Sequence, residues 1–252
     1  MSGAHRPGKD RLDVLLVSRG LFETREKAQR AILAGVVYVD GQRVDKPGTK
    51  VDESAPLEAK QRERYVSRGG MKLEGALAKF GIDPQGAICL DIGASTGGFT
   101  DCLLQHGAAR VYAYDVGHSQ LDWKIRSDPR VVVREKINAR HLQPADVPER
   151  VSLCVVDVSF ISLTLILPPA ARVLDSSDPA TIIALIKPQF ELARAAVGRG
   201  GIVRDPAAHA EAVEKVRRHV EDALPRWRWT GVMDSPILGA EGNKEFLACL
   251  QK

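Results

Sequence analysis

From Tyr65 onward, short apolar runs alternate with helical patterns, and several runs end on a polar residue. Ala87-Ile-Cys-Leu90 leads straight into Asp91, and Val111-Tyr-Ala-Tyr114 into Asp115. Val131–Val133 is a short third run, Val151–Val156 ends at Asp157, and Thr181–Ile186 ends at Lys187. Near-continuous apolar runs suit strands buried on both faces, as in parallel sheets. Such sheets bind ligands outside the carboxyl ends of their strands, where these polar residues would stand. Leu73, Ala76, Leu77 and Phe80 form a helical face closed by Gly81, and a further helical pattern opens at 204–209 and runs through Ala212, Val213 and Val216. An α/β domain is therefore predicted.

The turn after the first of these runs reads Asp91-Ile-Gly-Ala-Ser-Thr-Gly-Gly-Phe-Thr100. Glycines at 93, 97 and 98 let backbone approach a ligand closely, and amides at the start of the next helix can face it. The string is neither GxGxxG nor a Walker A loop, since no Gly-Lys-Ser/Thr follows. Asp115, ending the next strand, is suited to accept hydrogen bonds from ribose hydroxyls.

The first sixty residues follow another pattern. Leu12, Leu15 and Leu16 share a helical face with Gly20 as its stop, and Thr24 is the expected N-cap of a second helix ended by Gly35. Val36, Val37 and Val39 read as a strand turning at Asp40-Gly41, a strong hairpin signal. Thirteen basic against ten acidic residues up to Arg64 leave +3 of the chain's net +4 in this segment. The helix–helix–hairpin resembles the S4 RNA-binding domain, and that resemblance implies an RNA-facing surface lined by Arg19, Arg25, Lys27 and Arg30. Such side chains supply charge and multiple donors to phosphates without requiring a particular base. The charged stretch 58–64 is read as a linker, giving an S4-like domain over 1–60 and linker plus α/β domain over 61–252.

Composition removes other classes. The four cysteines, 89, 102, 154 and 249, form no CxxC or Cys/His cluster, and the six histidines show no HExxH or facial-triad spacing, so no metal is expected. Scattered cysteines and the lack of an apolar leader after Met1 fit a cytoplasmic protein. No apolar run is long enough to span a bilayer. Ser95 and Ser159 lack a GxSxG elbow, which argues against a hydrolase. Trp123, Trp227 and Trp229 could stack bases, but packing is the expected role of each.

DIGASTGGFTD resembles motif I of S-adenosylmethionine-dependent methyltransferases in the form used by FtsJ-like ribose 2′-O-methyltransferases. SRGGMKL, DVSFISL, IKPQFE and GNKEFL follow in the order of the TlyA family, which joins an S4 domain to an FtsJ-like domain. The resemblance implies a Rossmann-like class I methyltransferase sheet behind a small α+β S4-like domain, with S-adenosylmethionine as cofactor. It implies a catalytic tetrad of Lys72, Asp157, Lys187 and Glu245, the last preferred to Glu241 because it lies inside GNKEFL. It also implies a cofactor site along Asp91, Gly93, Ser95, Gly97, Gly98 and Phe99, with Asp115 at the ribose and Asn138 near the adenine.

Transfer to a ribose hydroxyl needs in-line alignment and a group that takes or shares the hydroxyl proton. Lys187 is assigned nearest that hydroxyl, with Asp157 orienting it and Lys72 and Glu245 completing the network. Which lysine carries the proton stays open. Pro188 is expected to hold Lys187 extended and to prevent simple continuation into a helix. The implied substrate is a cytidine ribose in ribosomal RNA, within a ribosomal subunit, with no DNA or membrane partner. A non-catalytic RNA-binding assembly factor is the second reading, and a membrane-active haemolysin, a label members of the family have carried, the third.

Overall fold

The computed structural model describes residues 8–59, 64–174, 176, 179–239 and 242–252. The chain divides into two compact units, Met1–Arg64 and Tyr65–Lys252, so the division falls four residues after the expected one.

In the smaller unit, strand β1 (Lys9–Arg11) leads into helices α1 (Leu12–Ser18) and α2 (Arg25–Leu33). Strands β2 (Val37–Val39), β3 (Gln42–Arg43), β4 (Lys50–Asp52) and β5 (Leu57–Ala59) follow, with β1 pairing β4 and the others ordered β3-β2-β5. The hydroxyl of Thr24 accepts from the Lys27 amide at 3.3 Å, capping α2. Asp40 and Gly41 adopt φ values of 50° and 75°, as a tight two-residue hairpin turn requires. Leu12, Leu16, Ile32 and Val37 close the core. The charged stretch 58–64 does not begin as a free linker. Glu58 and Ala59 belong to β5 and pair with Tyr38 and Val37, which gives backbone partners to the edge of β2 that β3 leaves open. Residues 60–63 lie outside the described residues.

The larger unit runs α3 (Gly69–Phe80), β6 (Ile88–Ile92), α4 (Gly98–Gln105), β7 (Arg110–Tyr114), α5 (Trp123–Arg126) and β8 (Val131–Arg134). It continues through β9 (Leu153–Val156), α6 (Leu167–Val173), β10 (Thr181–Ile186), α7 (Pro188–Glu191), α8 (Pro206–Ala223), β11 (Arg228–Asp234) and β12 (Phe246–Gln251). Seven strands form one sheet ordered β8-β7-β6-β9-β10-β12-β11. The first five in this order are parallel, and β12 runs antiparallel to both its neighbours.

Alternation along β6 explains the layers. Leu90 and Ile92 join the core built with α6 and α8, while Cys89 joins that built with α3 and α4. Burying each such apolar side chain contributes roughly 1.5–3 kcal/mol. The strand order reverses between β6 and β9, which opens a crevice beyond their carboxyl ends. The five apolar runs read from the sequence all lie in this sheet. β11 and β12 are not among them, since β11 is an edge strand of alternating exposure and the apolar run of β12 begins inside the GNKEFL motif. Trp227 is buried and Trp229 packs on the core, whereas Trp123 is exposed.

Candidate active site

The glycine turn is shaped by contact with the neighbouring strand. Gly93 has φ of 87°, and a Cβ there would lie 2.2 Å from the Asp157 carbonyl oxygen. The backbone beyond β6 therefore passes against that beyond β9, which a side chain would prevent. Gly93 N–H donates to the Tyr114 carbonyl at 2.8 Å, and Ser95 N–H donates to Asp115 Oδ2 at 2.8 Å. Asp115 Oδ1 accepts from the Gly117 amide at 2.6 Å. The ends of β6, β7 and β9 are thereby locked together around an opening.

Two cavities meet there. The larger, about 440 Å³, is lined by Gly93, Asp115, Ile137, Asn138 and Phe160 among others. The smaller, about 150 Å³, is lined by residues including Ser67, Lys72, Ser95, Gly98, Phe99 and Asp157. Gly93, Ser95 and Asp157 line both. Six of the expected cofactor residues, Gly93, Ser95, Gly98, Phe99, Asp115 and Asn138, thus line one or both of these adjoining cavities.

Asp91 and Gly97 do not line either cavity. Asp91 lies within β6 rather than at its tip, fully buried, and its Oδ2 accepts from the Thr100 hydroxyl at 2.6 Å. Burial pushes its carboxyl up to about 7, and the Asp157 and Asp115 charges add to the rise. Gly97 caps the start of α4 with φ of 97° and lies against Leu121 and Ile125.

The four charged residues form two ion pairs at the same sheet edge. Lys72, on α3, donates from Nζ to Glu245 Oε2 at 2.5 Å, with both side chains buried. Lys187 Nζ lies 2.6 Å from Asp157 Oδ1, off hydrogen-bond alignment, and donates to Ser159 Oγ at 2.9 Å. The antiparallel register explains how a residue near the C-terminus arrives there. Ile186 pairs with Phe246, so Glu245 at the start of β12 and Lys187 at the end of β10 emerge together. Glu241 lies outside the described residues. Lys187 is extended, with φ −113° and ψ 102°, but Pro188 opens the short helix α7 instead of preventing one. The proline ring costs nothing at a first helical position, where no amide partner exists.

Phe160 was missed by sequence reasoning. It lines the larger cavity at 91% exposure, with φ of 63°, and its ring centroid lies 5.0 Å from that of Phe190. A bulky residue in a left-handed conformation is rare away from functional sites. No apolar periodicity marks it, because the conformation comes from the surrounding packing.

In the smaller unit the four expected RNA-facing residues are differently engaged. Arg25 pairs with the buried Asp13 at 2.9 Å, Arg19 donates to the Ala55 carbonyl at 2.6 Å, and Lys27 pairs with Glu23. Arg30 is exposed near Glu26. Hydrogen bonds from Arg11, with others from Gln29 and Arg25, hold the Asp13 carboxyl well below the usual range.

Among the described residues no group of three or more His, Cys, Asp or Glu could hold a metal ion, and no helix is long and apolar enough to cross a membrane. The sheet order and the glycine-lined cleft at the strand reversal define a Rossmann-like methyltransferase domain, following a separate small α+β unit. The FtsJ-like methyltransferase profile matches residues 65–252, and the S4 domain profile matches residues 10–56. The chain belongs to the TlyA family, in which these two domains are joined. It is 46% identical over 243 residues to the 16S/23S rRNA (cytidine-2′-O)-methyltransferase TlyA of Mycobacterium tuberculosis, covering 96% of this chain and 89% of that protein. It is 45% identical over 239 residues to Hemolysin A of Brachyspira hyodysenteriae, covering 94% and 98%. A solved structure from Streptococcus thermophilus, provisionally described as a hemolysin, superposes with a TM-score of 0.71 at 49% identity, covering 98% of this chain and 90% of that one.

Proposed function

We propose that this methyltransferase moves a methyl group from S-adenosylmethionine to the 2′-hydroxyl of a cytidine in ribosomal RNA, with the S4 unit supplying affinity for the RNA. The observation that carries the reading is Asp157. It lines both cavities and pairs with Lys187, so a cofactor side and a nucleophile side would meet at one carboxylate.

The residues fit the cofactor. The Asp115 carboxylate oxygens each accept one backbone hydrogen bond and retain acceptor capacity for ribose hydroxyls. Asn138 and Ile137 suit an adenine, and Gly93, Ser95 and Asp157 line both cavities, where the rest of the cofactor would pass toward the smaller one. S-adenosylmethionine, when bound, supplies a methyl carbon made electrophilic by its sulfonium.

Asp157 balances positive charge at that carbon and orients Lys187. Lys187 Nζ donates to Ser159 and lies against the Asp157 carboxylate, and its remaining positions can face the attacking oxygen. When deprotonated, that amine can accept the hydroxyl proton. Lys72, held by Glu245, offers its charge in the smaller cavity and positions the nucleotide. Phe160 presents an exposed face on which the cytosine can stack. The names of the relatives support the ribosomal substrate.

Lys187→Ala tests the reading. It should abolish ribose methylation, mapped by mass spectrometry on ribosomal RNA, while titration calorimetry still detects S-adenosylmethionine binding. Undiminished ribose methylation would refute the assignment. Failure of the unaltered protein to bind S-adenosylmethionine would favour a non-catalytic RNA-binding role.

A further inference from the structure

Glu191 is buried at the end of α7, with 1% of its side chain exposed, and the mechanism above makes no use of it. Its Oε2 accepts from the Ser162 hydroxyl at 2.5 Å, and its Oε1 accepts from the Leu163 amide at 2.8 Å. Lys215, on α8, lies 3.6 Å from Oε2 and also donates to the Glu191 carbonyl.

The placement of these contacts matters more than their number. Ser162 and Leu163 lie on the segment that leaves β9 through Asp157, and Glu191 lies on the segment that leaves β10 through Lys187. The two segments face each other along a ladder of rungs. At its root is the Asp157–Lys187 pair, followed by Ser159 accepting from Lys187 and then the Phe160–Phe190 contact. Glu191 with Ser162 and Leu163 is the far rung. Ser159 and Phe160, in the second and third rungs, are exposed, whereas the Glu191–Leu163 rung is buried. A hydrogen bond to a buried charged acceptor is stronger than one in water, and losing it strands the other partner.

The same rung holds a loop that would not keep its shape alone. Phe160, between Asp157 and Ser162, has φ of 63°, a strained conformation that persists only where surrounding structure imposes it. Root and far rung together fix the ends of that loop, and Val158 through Ile161 form one wall of the larger cavity. We infer that Glu191 is a positioning residue, clamping the two strand-end segments so that Asp157, Lys187 and Phe160 keep the geometry that methyl transfer to the ribose requires. This rests on the proposed function for its consequence and on the contacts alone for the clamp.

Two readouts on the full chain test it. The first is kcat for ribose methylation of ribosomal subunits at saturating S-adenosylmethionine. Glu191→Ala should lower kcat by about 10- to 100-fold, the cost of sub-ångström to ångström misplacement of reacting groups. S-adenosylmethionine affinity, by calorimetry, should fall by less than kcat does, because Asp115 and Asn138 line the same cavity and lie outside the clamped segments. Glu191→Gln keeps an acceptor for the Leu163 amide and a partner for Ser162, so it should restore kcat to within about 3-fold of the original. Ser162→Ala should fall between.

The second readout is the rate at which an acylating reagent labels Lys187, read by peptide mass spectrometry. Lys187 is 12% exposed in its side chain and should label several-fold faster in Glu191→Ala and in Ser162→Ala. Unchanged kcat and unchanged labelling in a folded Glu191→Ala protein overturn the inference, as does a Glu191→Gln protein as impaired as Glu191→Ala. If Glu191→Ala does not fold, Ser162→Ala decides, and wild-type values in both readouts overturn the clamp. If the unaltered protein methylates no ribose, the proposed function fails, and the labelling of Lys187 alone decides for or against the clamp.

Discussion

Replacing Glu245 by alanine leaves the Lys72 ammonium without a counter-ion where 11% of its side chain is exposed. Removing one partner of a buried pair costs about 3–5 kcal/mol, because the remaining charge is neither solvated nor compensated. The residual exposure of Lys72 points to the lower end, about 3 kcal/mol. For a domain of this size each kcal/mol moves the midpoint by about 2–4 °C, so Tm should fall by about 6–12 °C. The double substitution Lys72→Met, Glu245→Leu removes both desolvation costs at similar volume and should return stability to within about 1 kcal/mol of the original. With the single substitutions Lys72→Met and Glu245→Leu completing the cycle, the coupling should therefore be at least about 2 kcal/mol. Urea unfolding of the original protein and these variants measures this, and ribose methylation measured alongside should be lost in every variant. A double variant as unstable as Glu245→Ala would assign the loss to packing, refuting the electrostatic reasoning. A stable double variant that still methylates would remove the pair from the proposed chemistry.

Gly93→Ala combines a left-handed backbone with a Cβ 2.2 Å from the Asp157 carbonyl, so it should cost about 2–4 kcal/mol and weaken S-adenosylmethionine binding at least about 10-fold. Unchanged affinity by calorimetry would refute the close-pass argument. Asp91 has its folded-state carboxyl raised to about 7, so its contribution to stability is full at low pH and is lost as pH rises toward 7. Asp91→Asn should therefore gain on the original protein by roughly 1 kcal/mol per pH unit between about pH 4 and 7, and parallel stability curves would refute it. Arg30→Ala should lower the slope of log affinity for RNA against log salt by about 1, whereas Arg25→Ala should act through stability, costing about 1–2 kcal/mol by depriving buried Asp13 of a donor. Equal effects of the two on the salt slope would contradict that division.

Much of the fold was legible because its signals are local. The apolar runs became β6 to β10, Thr24 caps α2, and Asp40-Gly41 turns the hairpin. Asp115 and the glycine turn were readable as a ligand edge because a charged or conformationally special residue directly after a buried strand has few structural roles. Asp91 misled for the same reason. One residue short of the strand end, period-2 alternation turns its side chain into the core, toward Thr100. The Pro188 reading held for Lys187, which is extended, and failed for the helix after it, because proline is permissive at the first helical position and restrictive only further in.

The sequence by itself determined the α/β pattern and the kinds of chemical group available: two lysines, two carboxylates and a glycine-lined turn at known places along the chain. Tertiary structure decided which of them meet. Lys72 and Glu245, 173 residues apart, touch because β12 inserts antiparallel beside β10 and returns the chain to the edge where Lys187 emerges. Packing likewise engaged Arg25 with buried Asp13, turned Phe160 out into the cleft, and tied the two strand-end segments through Glu191. The physical reason is one of range. Backbone periodicity and turn chemistry act over a few residues, so they can be read in order along the chain. The partner of a charge is set by distances of a few ångströms, which exist only after strand order and register have closed the sheet.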